Sequence, residues 1–212
     1  MATDRFERIE TDTYFEYGLT GKTILGGKIV YGTSTLKNEF ESVSVSGVSE
    51  AELFLQRQVW SRGKNVASVS ITGAIPNNVE AGLRPGVAND GPAAEIRVLF
   101  GRRLTERPRE FYVGAEAGFR KRFGDAADQG RIDITAGYQP AEKFLLLLQS
   151  FNTISVRNET GEGADFDAYK IAPSLVWRGG RRWALQGGVI HEYAGRNLAT
   201  GTTYFFGLWS EF

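Results

Sequence analysis

The amino-acid sequence predicts an all-β protein, a transmembrane antiparallel up-and-down β-barrel with eleven countable strands. Three observations carry this. Side-chain polarity alternates with a period of two almost throughout, which is the pattern of strands and not of helices. Short turns alternate with longer polar loops from one end of the chain to the other. The sequence closes on TTYFFGLWSEF, with apolar or aromatic residues at every second position and Phe at the last one. A surface terminus is normally polar and frayed; this one has the pattern of a strand with one greasy face.

The candidate strands are 12–19, 23–33, 50–60, 66–76, 93–103, 111–122, 130–138, 143–153, 166–177, 182–193 and 201–212. In 66–75 Val69, Ile71 and Ile75 oppose Ser68, Ser70 and Thr72. In 92–101 Ala94, Ile96, Val98 and Phe100 fall on one face, with Glu95, Arg97 and Leu99 on the other. In 111–122 Phe111, Val113 and Phe119 oppose Tyr112, Glu116 and Arg120, and in 131–138 Ile132, Ile134 and Tyr138 oppose Arg131, Asp133 and Thr135. No window sustains the i, i+3, i+4 stripe of an amphipathic helix. Short turns at 20–22, 61–65, 105–110, 139–142 and 178–181 alternate with longer loops centred on 34–49, 77–92, 123–130, 154–165 and 194–200. Outer-membrane barrels keep such an alternation, with tight periplasmic turns and long extracellular loops.

Composition agrees. The chain has 212 residues, 26 of them Gly, which suits curved strands better than helices. Lys and Arg total 25 and Asp and Glu total 25, so no global field points to nucleic acid. There is no Cys, which excludes disulfides and thiolate metal sites. No apolar run approaches the ~18–20 residues of a spanning helix, but strands of about 9–11 residues also cross a bilayer. Residues 1–212 are therefore expected to form one outer-membrane barrel domain, in the outer membrane of a Gram-negative bacterium.

The two faces carry different chemistry. Charged and amide side chains of one parity are expected to line the lumen: Glu16, Lys28, Glu52, Gln56, Glu95, Arg97, Glu116, Arg120, Arg131, Asp133, Gln149, Lys170 and Gln186. In a dry core such charges would cost several kcal/mol each unless paired, whereas a wet lumen hydrates them. Both signs occur in similar numbers, which argues against a strong anion or cation filter. Aromatics beside short turns or the C-terminus are expected to form an interfacial girdle: Tyr17, Trp60, Phe111, Tyr138, Trp177, Trp183, Trp209 and Phe212. Gly26–Gly27 and Gly187–Gly188 lie between no strand and helix, so they relieve crowding where strands curve and do not bind phosphate.

Direction gives a further expectation. If the short turns are periplasmic, the last strand descends, and so does strand 12–19. Bacterial single-chain barrels have an even strand number with both termini periplasmic. An ascending strand and a signal peptide are therefore expected ahead of Met1, in a twelve-stranded parent barrel. Residues 1–11 become the first extracellular loop, or residues 6–10 a stub strand that helps closure.

Enzymatic chemistry finds little support. The single His, His191, points toward lipid near the extracellular end, where a lipid A-modifying enzyme would hold its base. Tyr193 follows it on the same face where a nucleophilic Ser would be needed, and Glu192 points the other way. Glu95 and Glu116 could be an acid/base pair, but Arg97 and Arg120 are close in register and favour salt bridges. Neither a catalytic site, a cofactor nor a metal is expected.

The stretch YFEYGLTGKTILGGKIVYG (14–32) resembles the descending strand, turn and ascending strand of proteobacterial outer-membrane barrels, the XagA-like group in particular. That resemblance implies a non-enzymatic, porin-like barrel associated with exopolysaccharide production and biofilm formation. The same turn phrase occurs in barrels that take up hydrophobic compounds. Tyr204, Phe206, Leu208 and Phe212 in step look like the β-signal read by the barrel-assembly machinery, with Ser210 departing from the usual apolar residue. The implied partners are outer-membrane lipid and lipopolysaccharide, that machinery, and polysaccharide-export or envelope proteins. The expected function is passage or export of a polar solute or exopolysaccharide through a narrow charged lumen. A structural or adhesive barrel with partner-binding loops is the alternative.

Overall fold

The computed structural model describes residues 5–37, 42–75, 91–106, 109–159, 165–198 and 200–211. Eleven strands account for nearly all of them: β1 (Arg5–Thr20), β2 (Thr23–Lys37), β3 (Ser42–Arg62), β4 (Asn65–Ile75), β5 (Ala93–Arg103), β6 (Glu110–Arg122), β7 (Gln129–Ala141), β8 (Phe144–Ser155), β9 (Asp167–Arg178), β10 (Trp183–Arg196) and β11 (Thr202–Ser210). Each strand pairs antiparallel with the next in sequence, giving one up-and-down sheet curled into a half-barrel. β1 and β11 are its two edges and, being both odd-numbered, run in the same direction.

Curvature is visible in the side chains. Arg120 on β6 forms an ion pair with Glu52 on β3, three strand spacings away. At ~4.8 Å per spacing those strands lie about 14 Å apart along the sheet, so the pair closes across a concave face. Sidedness is inverted relative to a water-soluble sheet. Glu95 on the concave side is 5 % exposed, while Ile96 and Val98 on the convex side are 55 % and 56 % exposed. Ser68, Ser70, Arg120, Gln139 and Ser174 are likewise buried, whereas Ile71, Phe119, Ile134, Leu146, Leu148 and Leu175 are exposed.

Two glycines make room for aromatic rings on the concave face. A Cβ on Gly26 would lie 2.2 Å from the Phe54 ring, and one on Gly137 would lie 2.2 Å from Cζ of Tyr112. Phe54 also stacks on Tyr14 with centroids 5.8 Å apart. The ring of Tyr112 packs in addition against the apolar cluster of Leu145, Leu147, Val176 and Ala184. Pro173 breaks one ladder: β9 and β10 keep a single register from Gly188↔Ser174 to His191↔Ile171, without bridges between, since proline has no N–H to give.

The N-terminal strands correct the sequence-based boundaries. Residues 5–11, expected as an extracellular loop or separate stub, are the first half of β1 and pair as far as Arg5↔Lys37. Residues 34–37 and 42–49, expected in a loop, are strand and pair with one another. Val43, Val45 and Val48 alternate with serines there, and β-branched and hydroxyl side chains hold the ladder: Thr33–Ser46 and Thr35–Ser44 hydroxyls bond at 2.8 Å. The pairing of β3 with β4 begins only at Ala51↔Ile75. Among the described residues β3 extends beyond its last bridge to β4, and β3 alone is about 70 Å long at ~3.3 Å per residue.

Gly137→Val is expected to destabilise the protein by about 1–3 kcal/mol, because its side chain must displace the Tyr112 ring. Gly73→Ala, with nothing within 4 Å of the added Cβ, is expected to change stability by less than about 0.5 kcal/mol. Urea unfolding in lipid, followed by tryptophan fluorescence, compares the two.

Candidate functional site: a charged cluster on the concave face

Register alone puts Glu95 opposite Arg120 and Glu116 opposite Asp133. The first pair is complementary and the second is not, since like charges directly opposite repel. Arg97 resolves the conflict from the next strand. Its Nη1 donates to Glu116 Oε2 at 2.8 Å and to Asp133 Oδ2, and its Nε donates to Glu95 Oε1 at 2.7 Å. Glu95 Oε2 accepts in turn from Arg120 Nε at 2.7 Å and lies 3.4 Å from Arg131 Nη1. Arg120 reaches on to Glu52, which faces Lys28 across β2 and β3. Lys28 Nζ is 3.3 Å from Glu50 and 3.5 Å from Asp12.

The structure therefore brings Lys28, Glu52, Glu95, Arg97, Glu116, Arg120, Arg131 and Asp133 into one continuous patch, which Asp12 and Glu50 join through Lys28. Glu95 sits at its centre, its side chain 3 % exposed. Both Glu95 and Glu116 are acceptors of Arg97, so both stand in ion pairs.

The remaining polar residues of that face lie apart. Glu16 accepts from the Tyr14 hydroxyl, and Gln56 lies toward the short turns on β3. Gln149 pairs with Thr135 and Ala172 on the neighbouring strands. Gln186 donates to Ser174 Oγ at 2.9 Å. Lys170 sits near the long-loop end, 2.7 Å from Glu192. Asp12, Tyr14, Glu50 and Glu192 share this face and were not singled out from the sequence, although each follows the parity of a neighbour that was.

On the convex face, Tyr17, Trp60, Phe111, Tyr138, Trp177 and Trp183 form a belt beside the short turns. Phe111 and Tyr138 meet edge to face at 6.5 Å and Trp177 and Trp183 at 5.4 Å. Trp209 does not join them. It pairs with Ala184 on the concave side and its Nε1 donates to Gln186 Oε1 at 3.0 Å. The correction follows from alternation, because Leu208 beside it faces outward. Tyr204, Phe206 and Leu208 line the convex face of β11 and are 77 %, 93 % and 68 % exposed; Phe212 lies outside the described residues. His191 is exposed on the convex face, with Nδ1 3.0 Å from Thr202 Oγ1. Among the described residues no group of His, Asp and Glu is arranged to hold a metal, and no helix is long and apolar enough to cross a membrane.

The long-loop end is tied by carboxylates. Asp128 accepts from the Arg122 amide and from Lys121, both at 2.8 Å, and from Asn158 Nδ2 at 2.8 Å. Burial raises its pKa, but these donors outweigh burial and hold it below the ordinary Asp value. Hydrogen bonds from Arg196, at 2.6 and 3.0 Å, hold Asp165 below its ordinary value.

Glu95→Ala takes a buried acceptor from Arg97, Arg120 and Arg131, of which the first two keep Glu116, Asp133 and Glu52, so it is expected to cost about 3 kcal/mol. Glu7→Ala, which removes the exposed partner of Lys37, is expected to cost less than about 1 kcal/mol. Equilibrium unfolding in lipid measures both. Because the Asp128 and Asp165 carboxyls are depressed in the folded protein, their stabilisation is complete above the unfolded Asp value of about 3.9. It is lost as pH falls through the lower folded values. Amide exchange at Arg122, whose N–H is bonded to Asp128, is expected to accelerate below that pH, beyond the intrinsic pH effect measured in Asp128→Asn.

No protein-family model matches the chain, and no curated protein matches it.

Proposed function

We propose that this chain forms the wall of a bacterial outer-membrane β-barrel that gives a polar solute a path along a narrow, charged lumen. One observation carries the proposal: polar and charged side chains are buried on the concave face while large apolar ones are exposed on the convex face. In water that arrangement wastes the hydrophobic effect and buries charge. In a bilayer it places apolar side chains in lipid and charge in a wet interior. The convex aromatic belt at the short-turn end fits a periplasmic interface, and β4 and β5 have 11 residues each, the length of a tilted crossing.

Passage is narrow because the ion pairs of Arg97 and Arg120 cross the concave face, and weakly selective because charges of both signs are interleaved there. In this reading the closed barrel has twelve strands, since β1 and β11 run in the same direction and antiparallel closure between them takes one more. Exopolysaccharide is the cargo favoured by the XagA-like resemblance of residues 14–32. The long β2–β3 ladder, with its paired hydroxyls, favours a second role, a partner-binding surface outside the membrane. No step of either role calls for a catalytic residue.

The expected results are co-fractionation with outer membranes, a need for detergent in purification, and small discrete currents in planar bilayers. Arg120→Ala, which opens the bridge from β6 to β3, is expected to raise the current severalfold. A monodisperse protein in detergent-free buffer overturns the membrane assignment. Silent bilayers with correctly inserted protein overturn passage and leave the structural role.

A further inference from the structure

Between the charged cluster and the short turns, the concave face holds a hollow of about 460 Å³. Its floor is Gly101 and Gly114, directly paired across β5 and β6, where neither strand sends a side chain inward. Gln56 and Ser68 wall it on one side, Tyr112 and Thr135 on the other. Toward the cluster, Glu116 is held by Arg97 at 2.8 Å. Toward the turn, Glu110 is held by Arg103 at 3.0 Å. The Tyr112 ring is fixed by its seat over Gly137 and by the apolar cluster behind it.

We propose that this hollow binds one ring of an uncharged polyhydroxylated solute, a pyranose or cyclic polyol. At the two ends Glu116 and Glu110 are already held by Arg97 and Arg103, and Lys64 at the rim by Glu106, so an ion entering between them competes with an existing pair. A neutral ring need not. Gln, Ser and Thr side chains both donate and accept, and a paired carboxylate keeps free lone pairs for a hydroxyl donor. The backbone floor, Leu99 and the Tyr112 ring offer apolar surface to the C–H face of such a ring. A flat aromatic acid satisfies the apolar surface alone and leaves the polar wall unmatched.

The site rests on the proposed wet lumen but is tested apart from passage. Detergent-solubilised full-length protein is titrated calorimetrically with glucose, glucuronate, glucosamine and benzoate. Glucose is expected to bind in the millimolar range, ahead of the other three. Gly114→Leu, which fills the hollow, is expected to abolish binding, and Tyr112→Leu to weaken it about tenfold, while Tyr112→Phe stays close to the parent. Gln56→Ala with Ser68→Ala provides an independent loss, and parental far-UV circular dichroism checks that each variant is folded. Absence of glucose binding, preference for a charged probe or for benzoate, or binding unchanged in Gly114→Leu overturns the site. Bilayer conductance without glucose binding overturns this inference alone; glucose binding without conductance overturns passage alone.

Discussion

Everything in this protein follows from the strand period of two acting on a sheet with one polar and one apolar face. Backbone hydrogen bonding fixes the register, and register fixes which side chains share a face. Each strand then sorts its own residues: Glu95, Arg97 and Leu99 inward, Ala94, Ile96 and Val98 outward. A one-residue slip in β5 would send Glu95 and Arg97 to the apolar side and Ile96 into the ion-pair cluster. The penalty for that slip is what specifies the fold, since the antiparallel ladder itself is indifferent to sequence.

The concave face is divided further. From β2 to β7 it is charged, and Arg97 is the residue that lets Glu116 and Asp133 sit side by side. From β8 to β10 it is smaller and more apolar, with Leu145, Leu147, Val176 and Ala184 packed under the Tyr112 ring. Gly26 and Gly137 let rings lie flat against the sheet, so the interior is lined by aromatic faces without losing width. The concave face thus carries a charged wall beside an apolar one.

Alternation was readable without the structure because it is a local property: eleven strands, their order and the sides of their residues are all written in neighbours two apart. Trp209 shows the limit of reading by proximity. It was grouped with the convex belt because it lies near the chain end, against the parity that Leu208 already set. The length of β2 and β3 was hidden for another reason. Serine-rich segments such as SVSVSGVS have the composition of a loop and the period of a strand, and here the period decides. The bridge from Arg120 to Glu52 could not be read at all, because it depends on how far the sheet curls over three strands.

The odd number of strands has a bearing on how copies of this chain meet. In two copies that share one orientation, β1 of one and β11 of the other point the same way. They can zip together only in the slanted, parallel pattern, which is the less stable of the two per residue.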